Sequence, residues 1–496
     1  MIAALYAVAI AVLTIYGGNL LWLSIQHVRH SRLRDGPVPD PEERPTPDES
    51  WPTVTVQLPL YNEADVADRL IDACAQLNYP RGRLEIQVLD DSTDVTTERV
   101  AERVAHWQER GVDIVHIHRT DRTGYKAGAL QNGLRLARGS FVAIFDADFV
   151  PPADFLQRML PPFFEQDDLG LVQARWGHLN QEASLLTQVQ AFGLDTHFAI
   201  EQNMRYQTDC FLSFNGTAGV WRRACIEEAG GWEHDTLTED LDLSYRAQLS
   251  GWSFQFRPAV EAPAELPPDM NALRTQQFRW AKGAIETSRK LLGRLWTSAE
   301  PLRAKLQGTL HMTGHLAFPF IVLAALTHAP LLALTQFDLG PGPVYFAALG
   351  VGLLGFTGFS LAQCYAQRIL YPDWGRRLVL LPVYMAGSMG IALSNTHAVW
   401  EALRGTPTAF TRTPKFGVDD ESPSWWTSRY VSQRVPWIVW AETALAAYCF
   451  AGLVAIMAFG DWAAVPFQLL FAGGFALVAG LSLRQSVRIQ QATATG

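Results

Sequence analysis

The sequence predicts an α/β domain, built on a doubly wound and mostly parallel sheet, inserted between α-helical membrane segments. Three observations carry that expectation. Residues 51–305 alternate short apolar runs with longer segments of helical period, and no apolar run there approaches the roughly 20 residues that a membrane span requires. Charge-free stretches lie on both sides of that region. The whole chain of 496 residues is 48% hydrophobic and 18% charged, with a mean hydropathy of +0.03, too apolar for an ordinary soluble chain of several domains.

Residues 1–25 carry no charge and, at about 1.5 Å per residue, exceed a hydrocarbon core of roughly 30 Å. The basic residues Arg29, Arg32 and Arg34 follow this segment instead of preceding it, which argues for a retained span with a cytoplasmic end and against a cleaved signal. Residues 26–50 form a cytoplasmic linker, rich in Pro and acid from 37 onward. Strands are expected at VTVQLPL (54–60), LEIQVLD (84–90), VDIVHIH (112–118) and FVAIFD (141–146), with helices over 64–77, 95–109, 127–137 and 153–164.

Beyond residue 305, two spans are expected within 306–367 and two within 435–483, followed by a cytoplasmic tail at 484–496. Segment 378–405 is the exception. The arginines of RILYPDWGRR and of the tail place both flanks inside, so 378–405 is expected to be interfacial or re-entrant, with an ordinary sixth span as the alternative. Its Gly387, Ser388, Gly390, Ser394, Asn395 and His397 suit packing against protein better than against lipid.

A net charge of −9 gives no basic field for a nucleic-acid backbone, so nucleic acid is not an expected partner. The five cysteines are scattered and form no C-x-x-C pair, so neither a disulfide framework nor a cysteine-rich zinc site is indicated. Neither G-x-G-x-x-G after the first strand nor G-x-x-x-x-G-K-[ST] occurs, which removes dinucleotide dehydrogenases and P-loop NTPases. In a doubly wound sheet, ligands bind beyond the carboxyl ends of the strands, where Asp90, Asp91, Asp146 and Asp148 fall. Two hard carboxylates one residue apart, Asp146 and Asp148, suit Mg²⁺ or Mn²⁺ shared with a diphosphate, although strand-end aspartates also commonly cap the next helix. GYKAGAL adds Lys126 near a helix start, suited to phosphates or simply solvated.

From residue 51 to about 283 the chain resembles the inverting, membrane-integrated family 2 glycosyltransferases, the group of cellulose synthase and hyaluronan synthase. The motifs PLYNE (59–63), VLDDSTD (88–94), GYKAGAL (124–130), FDADF (145–149), FNGTAG (214–219), TED (238–240) and QQFRW (276–280) stand in the family's order. VQARW, FNGTAGVWR and AGGW are most similar to the plant cellulose-synthase-like mannan and glucan backbone synthases. The resemblance implies a cytoplasmic GT-A domain over 51–305, and a gating loop over 406–434 whose FTRTPKFG (410–417) departs from cellulose synthase at Arg412.

It implies roles as well. Asp240 would be the catalytic base, taking the proton of an acceptor hydroxyl that is otherwise a poor nucleophile. Tyr61, Glu63, Asp90, Asp91, Lys126, Asp146, Gln276, Arg279, Phe410, Thr413 and Lys415 would bind the nucleotide sugar. Phe214, Asn215, Gly216, Glu239 and Trp280 would meet the acceptor, and Asp146 and Asp148 the metal, Mg²⁺ or Mn²⁺. TED can equally read as a helix start capped by Thr238. The implied function is a processive inverting β-glycosyltransferase of the hexosyltransferase class, polymerising a hexose and passing the polysaccharide across its own membrane. UDP-glucose is the preferred donor and GDP-mannose the next. The rival is a non-processive lipid glycosyltransferase resembling ceramide glucosyltransferase. Expected partners are the nucleoside-diphosphate sugar, the growing polysaccharide, the lipid bilayer of an inner, plasma or Golgi membrane, and accessory export proteins; no cyclic-dinucleotide regulatory domain is expected.

Overall fold

In the computed structural model, residues 1–33, 48, 50–418, 425–432 and 434–495 are described. Most of the expected linker, and 419–424 and 433 of the expected gating loop, lie outside the described residues. A seven-stranded sheet forms the centre of the domain, from β1 (Val54–Leu60), β2 (Leu84–Asp90), β3 (Ile114–His118), β4 (Phe141–Ile144), β5 (Leu169–His178), β6 (Gly219–Arg222) and β7 (Ser253–Ala264). Their order is β3-β2-β1-β4-β6-β5-β7. The first four strands are parallel, as expected from the alternation of strand and helix patterns. Every residue of β1 and β2 is buried, which is why their sequences read as nearly continuous apolar runs. Among the polar exceptions, Thr55 donates to Glu85 across the sheet at 2.7 Å and Gln57 donates to Gln87 at 3.1 Å.

The second half departs from a purely parallel pattern: β6 runs antiparallel to both β4 and β5, while β5 and β7 are parallel. Helices Ala67–Ala75, Thr96–Gln108 and Tyr125–Leu136 fall within a few residues of their expected positions. The helix expected over 153–164 is instead two short pieces, Phe155–Met159 and Pro162–Glu165. Two consecutive prolines at 161 and 162 lack the N–H groups that would continue the ladder, so the second begins a new helix.

Strand order reverses beside β1, with β2 on one side and β4 on the other, and the acids after β2 and β4 flank that switch point. The opposite wall comes from the helix Met270–Thr297, which carries QQFRW. Asp269 starts it by accepting from the amides of Asn271 and Ala272, both at 2.9 Å.

Five helices among the described residues are long and apolar enough to cross a membrane: Ile2–His30, Leu302–Gln336, Pro343–Leu370, Trp437–Phe459 and Val465–Gln491. The first lies directly against Gly352–Leu370. There a Cβ on Gly358 would lie 2.1 Å from the Gly17 carbonyl, so glycine permits the backbones to meet. Glu442, the one acid in the fourth of these helices, is buried and accepts from Arg274 at 2.8 Å, which explains its place in an apolar helix. Segments Trp374–Gly390 and Ala392–Arg404 form a pair bent by 43°.

Candidate active site

One cleft at the switch point gathers most of the singled-out residues: Tyr61, Glu63, Asp91, Lys126, Asp146, Asp148, Asn215, Gly216, Glu239, Asp240, Gln276, Arg279, Trp280, Phe410, Thr413 and Lys415. They come from segments up to 354 positions apart: strand ends, helix starts, the turn before β6, one face of the helix Met270–Thr297 and the loop at 406–418.

Asp146 and Asp148 follow β4. The Asp146 amide donates to Thr217 Oγ1 at 2.9 Å, tying the turn to FNGTAG. Lys126 Nζ lies 2.5 Å from Asp146 Oδ1 and donates to the Gly216 carbonyl at 2.9 Å. Burial alone would depress this lysine, but Asp146, Glu239 and Asp240 more than offset it and raise its pKa, keeping it cationic. Lys415 pairs with Asp148 Oδ2, while Asp148 Oδ1 is buried with no hydrogen-bond partner among the described residues. That orphaned oxygen, one residue from a second carboxylate, fits a hard divalent cation better than a structural cap does.

Across the cleft, Glu239 and Asp240 open the helix Glu239–Leu249. Removal from water, then the adjacent Glu239 charge, push Asp240 up to about 7 against the pull of Lys126. Glu239 is also raised, by burial, against the pull of Lys126. Thr238 makes no side-chain cap; its hydroxyl meets Thr287 Oγ1 at 3.2 Å, so the motif is not an ordinary capped helix start. Gly283 of the QQFRW helix packs on this turn, where a Cβ would lie 2.5 Å from Thr238. Gly216, at φ +82°, brings the FNGTAG backbone under Asp240, with a Cβ there falling 3.0 Å from Asp240 Oδ2.

Some expectations are corrected. Asp90 is fully buried, its carboxylate is engaged by the Ser92 amide at 2.8 Å and His116 at 3.0 Å, and it braces the strand end outside the lining of the cleft. Phe214 is 1% exposed and packs on Trp221 and Trp232, supporting the floor from beneath instead of lining it. Asp91 does border the cleft, but the Arg119 fork holds both its oxygens at 2.7 and 2.6 Å. A separate acidic cluster, Glu233, Asp235 and Asp242, resembles a metal site in composition but already surrounds the Lys290 ammonium at 2.5, 2.8 and 3.0 Å.

The loop at 406–418 lies over the cleft. Phe410 stacks on Tyr125 with ring centres 5.8 Å apart, the Arg279 guanidinium covers Phe410 at 4.5 Å, and Arg279 donates to Thr413 at 2.9 Å. Arg412 covers Tyr430 at 4.3 Å. Lining residues that the sequence reading passed over include Arg122, whose guanidinium sits 3.2 Å from the centre of the Tyr61 ring, and Trp176. Arg122 stands two residues before GYKAGAL, the one signal that could have found it.

The model of glycosyltransferase like family 2 matches residues 52–283, the span that supplies β1 to β7 and both carboxylate pairs. Residues 52–283 are a family 2 glycosyltransferase domain. Among curated relatives, the chain is 43% identical over 265 residues to glucomannan 4-beta-mannosyltransferase 1 of Oryza sativa subsp. japonica, covering 53% of this chain and 51% of the relative. Glucomannan 4-beta-mannosyltransferase 2 of Arabidopsis thaliana is likewise 43% identical over 265 residues, covering 53% and 49%. The chain thus spans about half the length of the curated relatives it matches. A solved structure, the mannosyltransferase PcManGT from Pyrobaculum calidifontis in complex with GDP-Man and Mn²⁺, is 21% identical with a TM-score of 0.51, covering 82% of this chain and all of that one. At that identity it establishes a shared GT-A-like fold for the family 2 domain.

Proposed function

We propose that the protein is a membrane-embedded, processive, inverting β-mannosyltransferase that uses GDP-mannose. The observation that carries the reading is the cleft itself: a carboxylate raised to about 7 faces the strand-end aspartates across a cationic floor, beneath a loop that covers both. Asp240 accepts the proton of an acceptor hydroxyl as that oxygen bonds to the anomeric carbon. The bond to the diphosphate breaks on the opposite face, so an α-linked donor yields a β-linkage. Lys126, Lys415 and Arg279 supply positive charge where the departing diphosphate gathers negative charge. A divalent cation, Mg²⁺ or Mn²⁺, would be held by Asp146 and Asp148 and would offset that same charge. Trp280 offers a flat apolar face to the acceptor ring, and Asn215 and Gly216 offer its floor.

The order of donors expected from the sequence is reversed. The curated relatives named above carry the name of mannosyltransferases, which supports GDP-mannose over UDP-glucose. A loop covering the nucleotide and an acceptor wall next to the membrane helices favour a polymer over a lipid product.

The geometry also supports a re-entrant reading of the bent pair. Before it, Tyr371 donates to Gln181 of the catalytic side at 3.0 Å; at its end, Lys282 holds Glu401 at 2.9 Å and the Thr406 carbonyl at 2.7 Å. Both flanks therefore contact the same domain, which we place in the cytoplasm together with the linker and the tail. Purified protein in lipid, supplied in parallel with labelled GDP-mannose and UDP-glucose, tests the function: polymer from GDP-mannose is expected, and polymer from UDP-glucose alone would overturn the donor assignment.

A further inference from the structure

We infer that Glu265 is a positioning residue that latches the loop at 406–418 over the nucleotide through the loop's backbone. Glu265 directly follows β7 and its side chain is 1% exposed. One carboxylate oxygen accepts from the Phe416 amide at 2.9 Å and the other from the Gly417 amide at 3.0 Å. Hydrogen bonds from N–H groups to an ionised carboxylate are about twice as strong as neutral ones, and a buried carboxylate has no water to replace them. Its own amide donates to the Asp148 carbonyl at 3.2 Å, and Phe149 bridges Ala264, so the latch is built onto the aspartate turn itself. Loop residue Lys415 pairs with the side chain of that same Asp148. One short stretch of the loop is thereby registered against the aspartate turn twice, once by side chain and once by backbone.

The backbone half demands a special conformation. Gly417 has φ +68°, and a Cβ there would lie 2.7 Å from the Asp65 carbonyl, so only glycine presents both amides to Glu265 without moving the loop. Arg69 Nη2 donates at 3.3 Å to Glu265 Oε2, the oxygen that also accepts from Gly417, and belongs to the domain, not the loop. This separates two roles: Arg69 supports Glu265 within the domain, and Glu265 holds the loop.

The consequence concerns water. With the latch broken, water can replace the acceptor: its oxygen bonds to the anomeric carbon, the diphosphate leaves with the electron pair of the broken bond, and Asp240 takes the proton.

The inference rests on the reading of 406–418 as a loop that closes over the nucleotide, so the test must separate the two. Three variants, Glu265→Gln, Gly417→Ala and Arg69→Gln, are compared with Lys415→Ala in purified full-length protein in lipid. Two quantities are read: the ratio of sugar transferred to sugar hydrolysed from GDP-mannose, and the rate at which Thr411→Cys, in a background without the five native cysteines, reacts with a thiol reagent in the presence of GDP. Glu265→Gln and Gly417→Ala are expected to lower the transfer-to-hydrolysis ratio about tenfold or more, the worth of one to two charge-assisted hydrogen bonds. They are expected to speed labelling to a similar degree and to leave GDP affinity within about twofold. Arg69→Gln should leave the ratio as in the parent.

Equal damage from Arg69→Gln and Glu265→Gln would make the role structural and overturn the latch. Unchanged ratio and labelling in Glu265→Gln and Gly417→Ala, with transfer lost in Lys415→Ala, would also overturn the latch while leaving the closing loop intact. Normal transfer in Lys415→Ala would instead remove the closing loop itself.

Discussion

Replacing Asp240 by Asn should separate chemistry from folding in opposite directions. The substitution keeps the shape and the contact with the Leu241 amide, at 2.8 Å in the parent, but removes the proton acceptor. Loss of general-base catalysis predicts a fall in turnover of about 100- to 10,000-fold with nucleotide binding retained. The same change should stabilise the fold. Asp240 is held at about 7 against an ordinary 3.8, so between those values the folded protein binds a proton that the unfolded chain has lost. Stability therefore falls as pH rises through this window, and above about 7 the whole cost of the buried charge is present. The distance between the two values corresponds to roughly 4 kcal/mol, an upper bound because the carboxyl borders an open cleft. Thermal unfolding in detergent at pH 5 and pH 8 should show the parent losing stability between them and the Asn variant losing less, with the variant the more stable at pH 8. In the parent, kcat/KM should climb with pH up to about 7. A variant that turns over nearly normally, or one that is inactive and also less stable at pH 8, would refute the assignment of Asp240 as a strained base.

Chelating divalent cations should abolish transfer, and Asp148→Ala should do the same by removing a hard oxygen ligand; full activity in excess chelator would contradict the metal role. Phe410→Ala should cut transfer severely in a protein whose far-ultraviolet circular dichroism is unchanged, because the loop, not the sheet, loses its stacking on Tyr125. Arg274→Ala strands the buried Glu442 carboxylate and should cost roughly 3–5 kcal/mol, read as a lowered melting temperature, whereas Arg274→Met paired with Glu442→Leu should recover most of it. In a background without the native cysteines, Thr411→Cys should react with a membrane-impermeant thiol reagent only from the cytoplasmic face; labelling from the outer face would make the bent pair a complete span.

Much of this was legible before any coordinates because the relevant signals are periodic or local. β1 and β2 are buried on both faces, so they announce themselves as apolar runs, and the acids after β2 and β4 mark the ligand side of the sheet. The membrane helices are legible for the same reason, since length and absence of charge are what a bilayer demands. Pairing direction is a different matter. Nothing in GVWR distinguishes a parallel from an antiparallel neighbour, and the reversal at β6 appears only once the sheet is assembled.

The site divides along the same line. Asp146, Asp148 and Asp240 are conspicuous because their chemistry is in their side chains. Asp90 looks equivalent to Asp91 in sequence, yet alternation along the strand end turns one into the core against His116 and the other to the cleft edge. Phe214 adjoins floor residues in sequence but packs beneath them, a difference that neighbourhood in the chain does not reveal. Glu265 was invisible because it binds backbone amides, and a partner that contributes only its main chain leaves no motif.

The most direct measurement is the structure of the product made by purified protein in lipid from GDP-mannose in the presence of Mn²⁺, determined by linkage analysis and by NMR of the anomeric protons. A chain of many β-linked mannosyl residues, formed while most acceptor remains unextended, is the predicted result. α-Linked product, or a single sugar added to each lipid or oligosaccharide acceptor, would contradict a processive inverting mannosyltransferase.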